Sequence, residues 1–546
     1  MARRWAARIA GGVPVVFVFG VTVLAAPVGA QEPPPAAMPK PPEAAAAAPQ
    51  RLDIFEYRIE GAELLSQAAV EAAVYPFLGP NRTPEDVDGA RAALERAYMD
   101  QGYQTVAVSV PPQTVRHGIV TLRVTEGRVG RLRVRGARYF ELDAIKQAAP
   151  SLAEGTVPNL DAVTEDIVAL NQIPDRRVTP TLKAGVVPGT VDVDLQVEDR
   201  LPLHGSLEIN NRYSQDTTEL RLNATLRYDN LWQRGHSISA GYQVAPQRRS
   251  ESEVFSGSYL LRFASVPWLS LLAYGVSQDS DVSTLGDINV AGQGEIVGGR
   301  GLFTLPGGSS FFHTLSLGID YKRFRERVSF EDGDGFSSPV TYYPLTADYS
   351  AAWIPEGATT ELSVSLVGNI RGLGSSRQEF DNRRFNATGG FFYLRADISH
   401  LHELPFGVQG FARIQGQVSN DALISAEQFG VGGQTTVRGY LESQVLGDNA
   451  ALGGVELRSP SLAGLLGQGL VDDWRFHLFV DAGRAFVNDA LPDQRDRFSL
   501  WSVGGGLRVQ LLDYLNCSLD VAVPMVDQES TRRGEARALF RTWLEF

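Results

Sequence analysis

At 546 residues the chain is too long for one ordinary domain, and a composition of 43% hydrophobic and 21% charged residues excludes an intrinsically disordered protein. The formal net charge of -13 argues against nucleic acid as a partner. The single cysteine, Cys517, excludes an internal disulfide and a cysteine-ligated zinc or iron–sulfur site.

The first 50 residues predict an export signal and a tether. Residues 1–30 carry three arginines, then an apolar run, then small residues before Gln31, which is the layout of a secretory signal peptide cleaved after Ala30. A permanent membrane anchor is the alternative, but Pro14 interrupts the run, which is short for a spanning helix. Residues 31–50 are rich in Pro and Ala and predict an extended linker without a core.

Residues 51–199 predict two copies of one small α+β module, at a spacing of about 75 residues and with the element order β-α-α-β-β. We place the first copy at 51–127 and the second at 128–199. In each copy a strand is followed by two segments of helical periodicity and then by two further strands. The segment Thr83-Pro-Glu-Asp86 carries a hydroxyl cap, a first-turn proline and acids, and so predicts a helix start.

An open sheet edge in such a module can accept an extended peptide as an added strand. The second strand of the module is expected at that edge, which makes Thr105, Val106, Val108 and Val110 the candidate binding strand. Pro180 is expected to interrupt the equivalent strand of the second copy. The alternative is that these strands are structural only.

From residue 200 to 546 the period of the sequence changes to two. In ELRLNATLRY, residues 219–228, alternate residues are apolar and the others are polar, and similar segments recur up to the C-terminus. One such segment alone fits a soluble β-sandwich equally well. Because the pattern continues for about 345 residues with no long apolar run, it predicts a transmembrane β-barrel. At about 20 to 22 residues per strand and loop, about 16 antiparallel strands are expected around a wet channel.

The stretch VGGQTTVRGYLES, residues 431–443, is a Gly-rich loop with one arginine, which ordinarily contacts solvent. The strand FVDAGRAF, residues 479–486, places Phe479, Asp481 and Gly483 on one side. If that side faces the lumen, a loop folded into the channel can bring Arg438 to Asp481, and Gly483 permits close approach. Such a pair would fix the position of the loop.

These features together resemble the TpsB transporters of two-partner secretion, part of the superfamily of POTRA-bearing outer-membrane barrels. The resemblance runs from about Arg51 to Phe546. It is carried by GVGGQTTVRGY with the downstream Glu456, by FVDAG, by the turn DNLWQRG and by two POTRA-like repeats.

The resemblance implies that Val437, Arg438, Gly439 and Tyr440 form the tip of a loop inside the barrel, with Asp481 as its wall partner. It also implies an outer-membrane location with the repeats in the periplasm, insertion by the barrel-assembly machinery, and a secreted adhesin or cytolysin as partner. Family members often carry a plug helix before the first POTRA domain, and the Pro-rich segment 31–50 departs from that pattern.

Other functions are less well supported by the residues. A barrel-assembly factor of the same superfamily usually carries three or more POTRA repeats, and a solute porin needs none. No nucleophile elbow and no metal-ligand spacing of the seven histidines is visible, so the sequence predicts neither an enzyme nor a cofactor or metal. The motif EDGDG, residues 331–335, lacks the full calcium-loop pattern and predicts an acidic extracellular loop.

Overall fold

The structure is a computed structural model that describes residues 51–171, 173, 175–263, 265–280, 283–285, 288–290, 293–325, 327–329, 335–337, 339–465 and 469–546. The predicted signal peptide (1–30), the linker (31–50) and residues 331–334 of the EDGDG motif lie outside these residues. The described chain divides into two compact units, which meet in sequence between Arg200 and Leu201. We describe each unit separately.

The N-terminal unit contains two modules in series, each with a three-stranded sheet. The first consists of β1 (Leu52–Ile54), β2 (Glu56–Glu60), α1 (Gln67–Val74), β3 (Gly79–Arg82), α2 (Pro84–Asp100), β4 (Val106–Ser109) and β5 (Ile119–Glu126). The second consists of β6 (Arg128–Arg135), α3 (Leu142–Gln147), α4 (Leu160–Leu170), β7 (Arg176–Ala184) and β8 (Thr190–Asp199). The sheet orders are β2-β5-β4 and β6-β8-β7. The small β1–β3 pair of the first module is an addition that the sequence pattern does not predict.

Local sequence explains the start and the packing of the longest helix. The Thr83 hydroxyl accepts a hydrogen bond from the Asp86 backbone N–H, and the Asp86 carboxylate accepts one from the Thr83 N–H at 2.8 Å. The helix buries Leu94 and Tyr98 against the apolar face of its sheet. Among the described residues, no helix is long and apolar enough to cross a membrane.

The two outer strands of these sheets, β4 and β7, end the sheets on one side. Contrary to expectation, β7 runs through Pro180 without a break, opposite Leu195. The Gly185 N–H donates to Thr190 O at 2.9 Å, which sets the hydrogen-bond alternation and turns the nitrogen of residue 180 toward the free side. A missing N–H on that side breaks no bond to β8.

The C-terminal unit is a closed antiparallel β-barrel, and the prediction of about 16 strands is confirmed. Its strands in chain order are β9 (Leu203–Asn210), β10 (Arg221–Leu231), β11 (His236–Val244), β12 (Ser252–Arg262), β13 (Leu269–Ser280), β14 (Ser283–Leu285), β15 (Ile288–Val290), β16 (Gln293–Thr304), β17 (Phe311–Arg325), β18 (Arg327–Ser329), β19 (Gly335–Ser337), β20 (Val340–Tyr342), β21 (Leu345–Trp353), β22 (Ala358–Gly368), β23 (Phe392–Glu403), β24 (Gln409–Ser419), β25 (Phe429–Val431), β26 (Val445–Gly447), β27 (Asn449–Arg458), β28 (Val471–Phe486), β29 (Arg497–Leu511), β30 (Leu515–Pro524) and β31 (Arg537–Glu545). A short helix, α5 (Arg377–Arg383), precedes β23.

Three of the strand pairs, β14–β15, β18–β19 and β25–β26, are hairpins outside the barrel ladder. The short β20 and the following β21 both pair with β17 and together complete one barrel strand. The last strand, β31, pairs with β9 and closes the barrel, from Arg541 opposite Asn210 to Glu545 opposite Ser206.

Alternation along β28 distinguishes the two faces of the wall. Leu478 is 69% exposed and Val480 is 44% exposed, whereas Phe479 and Asp481 between them are buried. Because successive side chains point to opposite faces of a strand, one set faces outward and the other faces the lumen.

Candidate functional site

A hairpin from one long connection lies inside the barrel. The connection between β24 and β27, residues 420–448, contains β25 and β26, which pair from Phe429 opposite Gly447 to Val431 opposite Val445. We call residues 429–447 the inner hairpin. It packs on the lumen-facing wall in an apolar cluster that joins Phe429, Val431, Val437, Tyr440 and Val445 to Ala450, Leu452, Ala485 and Leu500.

Arg438 of the inner hairpin contacts acids on two adjacent wall strands. Its Nε donates to Oδ2 of Asp481 at 2.7 Å and its Nη2 donates to Oδ1 at 3.0 Å, a two-point contact that matches the planar guanidinium. The backbone N–H of Arg438 reaches the same carboxylate at 3.2 Å. Its Nη1 donates to Oε2 of Glu456 at 2.9 Å. The side chains of Arg438, Asp481 and Glu456 are all buried. If one of them is removed, water cannot readily take its place beside the remaining charges.

The wall also supplies an aromatic surface below the guanidinium. The Arg438 Cζ lies 3.4 Å from the centre of the Phe479 ring, where cation–π attraction adds to the ion pairs. The ring lies across Gly504 of the neighbouring strand, since a Cβ built there would be 2.4 Å from Phe479 Cζ. The wall therefore accommodates the Phe479 ring at Gly504 and also provides the carboxylates that bind Arg438.

Glu456 extends the cluster to two further arginines. Its Oε1 accepts a hydrogen bond from Arg458 Nε at 2.7 Å, and its Oε2 accepts one from Arg508 Nη2 at 3.2 Å. We call Arg438, Asp481 and Glu456 with these two residues the arginine clamp. Three arginines against two acids make the site unsuited to a metal cation.

The residues beside Arg438 fit the wall closely. Val437 is fully buried, and the Tyr440 hydroxyl accepts from the Val526 N–H at 3.2 Å. Gly439 has a φ of +90° and a Cβ there would lie 3.2 Å from Ala522 Cβ, so a larger residue would strain the turn and crowd the wall. A Cβ on Gly483 would lie 3.2 Å from Val437 Cγ2 and 3.1 Å from Val431 Cγ1.

The structure thus brings together the predicted residues of loop and wall: Val437, Arg438, Gly439 and Tyr440 with Phe479, Asp481 and Gly483. The sequence motifs do not predict Arg458 and Arg508, and they indicate Glu456 only through the family resemblance. The alternation of inward-facing and outward-facing side chains along β27 and β29 is the sequence feature that could have indicated them. The predicted edge strand lies in the N-terminal unit, where β4 forms one edge of its sheet. Val106 and Val108 lie on β4, whereas Thr105 and Val110 flank it.

Comparison with known proteins identifies the family of the chain. Residues 189–509 match the family model of the haemolysin secretion/activation proteins ShlB/FhaC/HecB, and residues 52–127 match the ShlB-type POTRA domain. The chain belongs to the ShlB/FhaC/HecB family. The resemblance found in the sequence is therefore confirmed, and a chain of this family is an outer-membrane translocator of two-partner secretion. Its N-terminal POTRA region is periplasmic and its partner is a secreted exoprotein.

Individual ShlB/FhaC/HecB relatives span most of the chain. The outer membrane transporter CdiB of Dickeya dadantii is 23% identical over 72% of this chain and 70% of its own. The hemolysin transporter protein HpmB of Proteus mirabilis is 22% identical over 85% of this chain and 80% of its own. The solved structure of CdiB from Escherichia coli covers 93% of both chains, with a TM-score of 0.61 at 17% identity, and so shares the fold. The family is one of transporters, which favours export over the porin and assembly alternatives.

Proposed function

We propose that the exoprotein adds to β4 as an extended strand, then crosses the barrel lumen, whose inner hairpin is kept in position by the arginine clamp. The observation that carries the proposal is the contact of Arg438 with Asp481 and Glu456 on two adjacent wall strands. In this proposal the chain comprises a signal peptide (1–30), a linker (31–50), POTRA-like domains at 51–127 and 128–199, and a barrel at 200–546. The partner is an adhesin or cytolysin, and the barrel-assembly machinery inserts the barrel into outer-membrane lipid.

The hydrogen-bond pattern of β4 supports strand addition. The Gly127 N–H donates to Thr105 O at 3.2 Å, which makes residues 105 and 127 a hydrogen-bonded pair. Such pairs alternate along an antiparallel ladder, so the N–H and C=O groups of Val106 and Val108 point away from β5, and Val110 directly follows the last paired residue, Ser109. The side chains of Val106 and Val108 are buried in the module core. An incoming strand would therefore bind main-chain groups on a strand that the core keeps rigid.

The clamp supports a positional role for Arg438. An ion pair buried in a partly dehydrated site adds little net stability, because desolvation offsets the Coulomb attraction, but its geometry specifies one arrangement. Here the specified arrangement is the seat of the inner hairpin against β27 and β28. No nucleotide is available outside the cytoplasm, and the resemblance to the family implies that folding of the exported chain beyond the membrane supplies the direction of transport.

Val110→Pro tests strand addition. Val110 directly follows β4 and is 41% exposed, so the substitution removes one N–H at the end of the free edge and leaves the core unchanged. The loss of one main-chain hydrogen bond of about 1 kcal/mol predicts an approximately fivefold weaker capture. The measurement is the amount of exoprotein in the culture medium. The exoprotein is identified beforehand as the secreted protein that is lost when the gene for this chain is deleted.

Val110→Ala is the matched control, because it shortens the same side chain and keeps the N–H. Export reduced by Val110→Pro and normal in Val110→Ala supports capture through the β4 backbone. Equal export in the two variants would show that the main-chain groups at this edge do not bind the partner.

A further inference from the structure

The outer face of the second module's sheet is rich in exposed cations. Side chains alternate in direction along its strands: Leu132, Val193 and Leu195 pack in the core, and the residues between them lie on the opposite face. We call this outward surface the basic face; it comprises Arg131, Arg133, Arg135, Arg177 and Lys183 with Asp192, Asp194 and Glu198. Five cations and three carboxylates give a net charge of +2, in a chain whose formal net charge is -13.

Two of these acids lie beneath the cations. Asp194 contacts Lys183 at 3.0 Å, Arg135 at 3.5 Å and Arg133 at 3.6 Å, and Asp192 contacts Arg133 at 2.8 Å. The acid side chains are 4% and 9% exposed, whereas the side chains of the three cations are 43 to 59% exposed. The hydrogen bond from Lys183, with the charges of the two arginines, lowers the pKa of Asp194. The surface that a ligand meets is therefore positive.

The first module offers an internal comparison. The charged residues on the outer face of its sheet are Glu56, Arg58, Glu60 and Arg123. Arg58 lies 3.6 Å from Glu56 and Arg123 lies 3.2 Å from Glu60, so the charges cancel in pairs. The two modules share one fold but present different charges.

The spacing of the cations fits an extended chain. Arg131, Arg133 and Arg135 lie at alternate positions of β6, which places them roughly 6.6 Å apart, the same step as alternate side chains of an extended peptide. The exposed residues between and beside them on the face are polar, including Gln196 and Thr179. A surface that binds lipid by its charge usually adds apolar anchors, and this face has none among its described residues.

We infer that the basic face binds an acidic, extended segment of the exported protein, with carboxylates at alternate positions. The inference rests on one part of the proposed function, namely that an exported protein passes the periplasmic modules. It adds a second contact to the one proposed at β4: the edge binds main chain, and the basic face selects side chains by charge. Charge selection of this kind chiefly affects the rate of encounter and the choice of partner.

The test measures binding of labelled 12-residue peptides to the full-length protein in detergent. One peptide alternates Thr and Asp, and its isosteric control alternates Thr and Asn. At an ionic strength of about 0.05 M the Thr–Asp peptide is expected to bind the wild-type protein more tightly, and the difference is expected to shrink with added salt. In the variant Arg131→Gln/Arg135→Gln the binding of the Thr–Asp peptide is expected to fall about five- to tenfold.

The variant is chosen to preserve the fold, since Asp194 retains Lys183 and Arg133; an unchanged melting transition verifies this. The matched control, Arg58→Gln/Arg123→Gln, removes two charges from the outer face of the first module and is expected to leave binding within twofold of wild type. Equal binding of the two peptides, or an equal loss in the control variant, would overturn the inference. So would binding of vesicles of phosphatidylethanolamine and phosphatidylglycerol that depends on Arg131 and Arg135 while peptide binding does not. Because Val110→Pro alters no charge, failure here is distinguishable from failure at β4.

Discussion

Arg438→Ala is expected to abolish export while leaving the barrel inserted in the outer membrane. The substitution removes every side-chain donor that Arg438 gives to the Asp481 carboxylate, which is 3% exposed in the wild-type protein and loses that compensating charge. Breaking a buried pair in this way costs about 3 to 5 kcal/mol. That cost falls on the seated hairpin, because the barrel ladder does not include β25 and β26. The measurements are exoprotein in the medium and the heat-dependent gel mobility of the folded barrel.

Three comparisons separate position from charge. Arg438→Lys keeps the charge but loses the planar two-point contact, so export is expected to fall strongly. In the double variant Arg438→Ala/Asp481→Asn the unpaired acid is gone, but the contact that holds the inner hairpin is still missing, so export is not expected to recover. Arg532, which is 84% exposed in a loop, gives the control Arg532→Ala with normal export. Wild-type export in Arg438→Ala would contradict the positional role of the clamp.

Gly483→Leu is expected to displace the inner hairpin without altering any charge. A Cβ at this position already approaches Leu452 Cβ to 3.0 Å, Val431 Cγ1 to 3.1 Å and Val437 Cγ2 to 3.2 Å, so a leucine side chain has no room while the hairpin is seated. Overpacking of a closely fitted contact costs about 1 to 3 kcal/mol, and more where backbone must move. We expect lost export together with increased sensitivity of the cells to a large hydrophilic antibiotic.

Gly299→Leu is the matched control for this experiment. Gly299 is also a barrel-strand glycine, and it lies on β16 between the inward-facing residues Gly298 and Arg300. A Cβ built at Gly299 would have no atom within 4 Å. The outward leucine is expected to leave export and permeability unchanged. Normal export and an intact permeability barrier in Gly483→Leu would show that the hairpin does not depend on contact with the wall at this point.

The fold was predictable where a short stretch of sequence is enough to indicate the structure around it. Period-two alternation predicted the barrel because each strand has one face outward and one inward, as Leu478 and Phe479 show. The cap at Thr83 predicted the start of α2 because it depends on only four consecutive residues. The juxtaposition of Arg438 and Asp481 needed more, since the two are 43 positions apart, and it could be anticipated only as a consequence of closing the barrel around a loop.

Other parts of the site depend on register, which no single segment encodes. Arg508 meets Glu456 because β27, β28 and β29 are adjacent and in one particular alignment, with Glu456 opposite Phe479 and Phe479 opposite Gly504. Arg458 does not depend on that alignment, since it lies two residues from Glu456 on β27. A shift of one residue would turn each side chain to the other face. The continuous β7 shows the same limit: whether Pro180 interrupts a strand depends on which side its nitrogen faces, and pairing with β8 decides that.

Site-specific photo-crosslinking can show whether the exported chain passes through the lumen. Ser363 and Leu362 are neighbours on β22 with opposite facing: Ser363 pairs with Asp397 and Ser350 on the polar, inward side, and Leu362 pairs with Ile398 on the outward side. A photo-reactive phenylalanine is placed at each position in turn, in cells that secrete the exoprotein. We predict that position 363 crosslinks to the exoprotein during export and that position 362 does not. Crosslinking from 362 alone, or from neither while export proceeds, would contradict passage through the barrel.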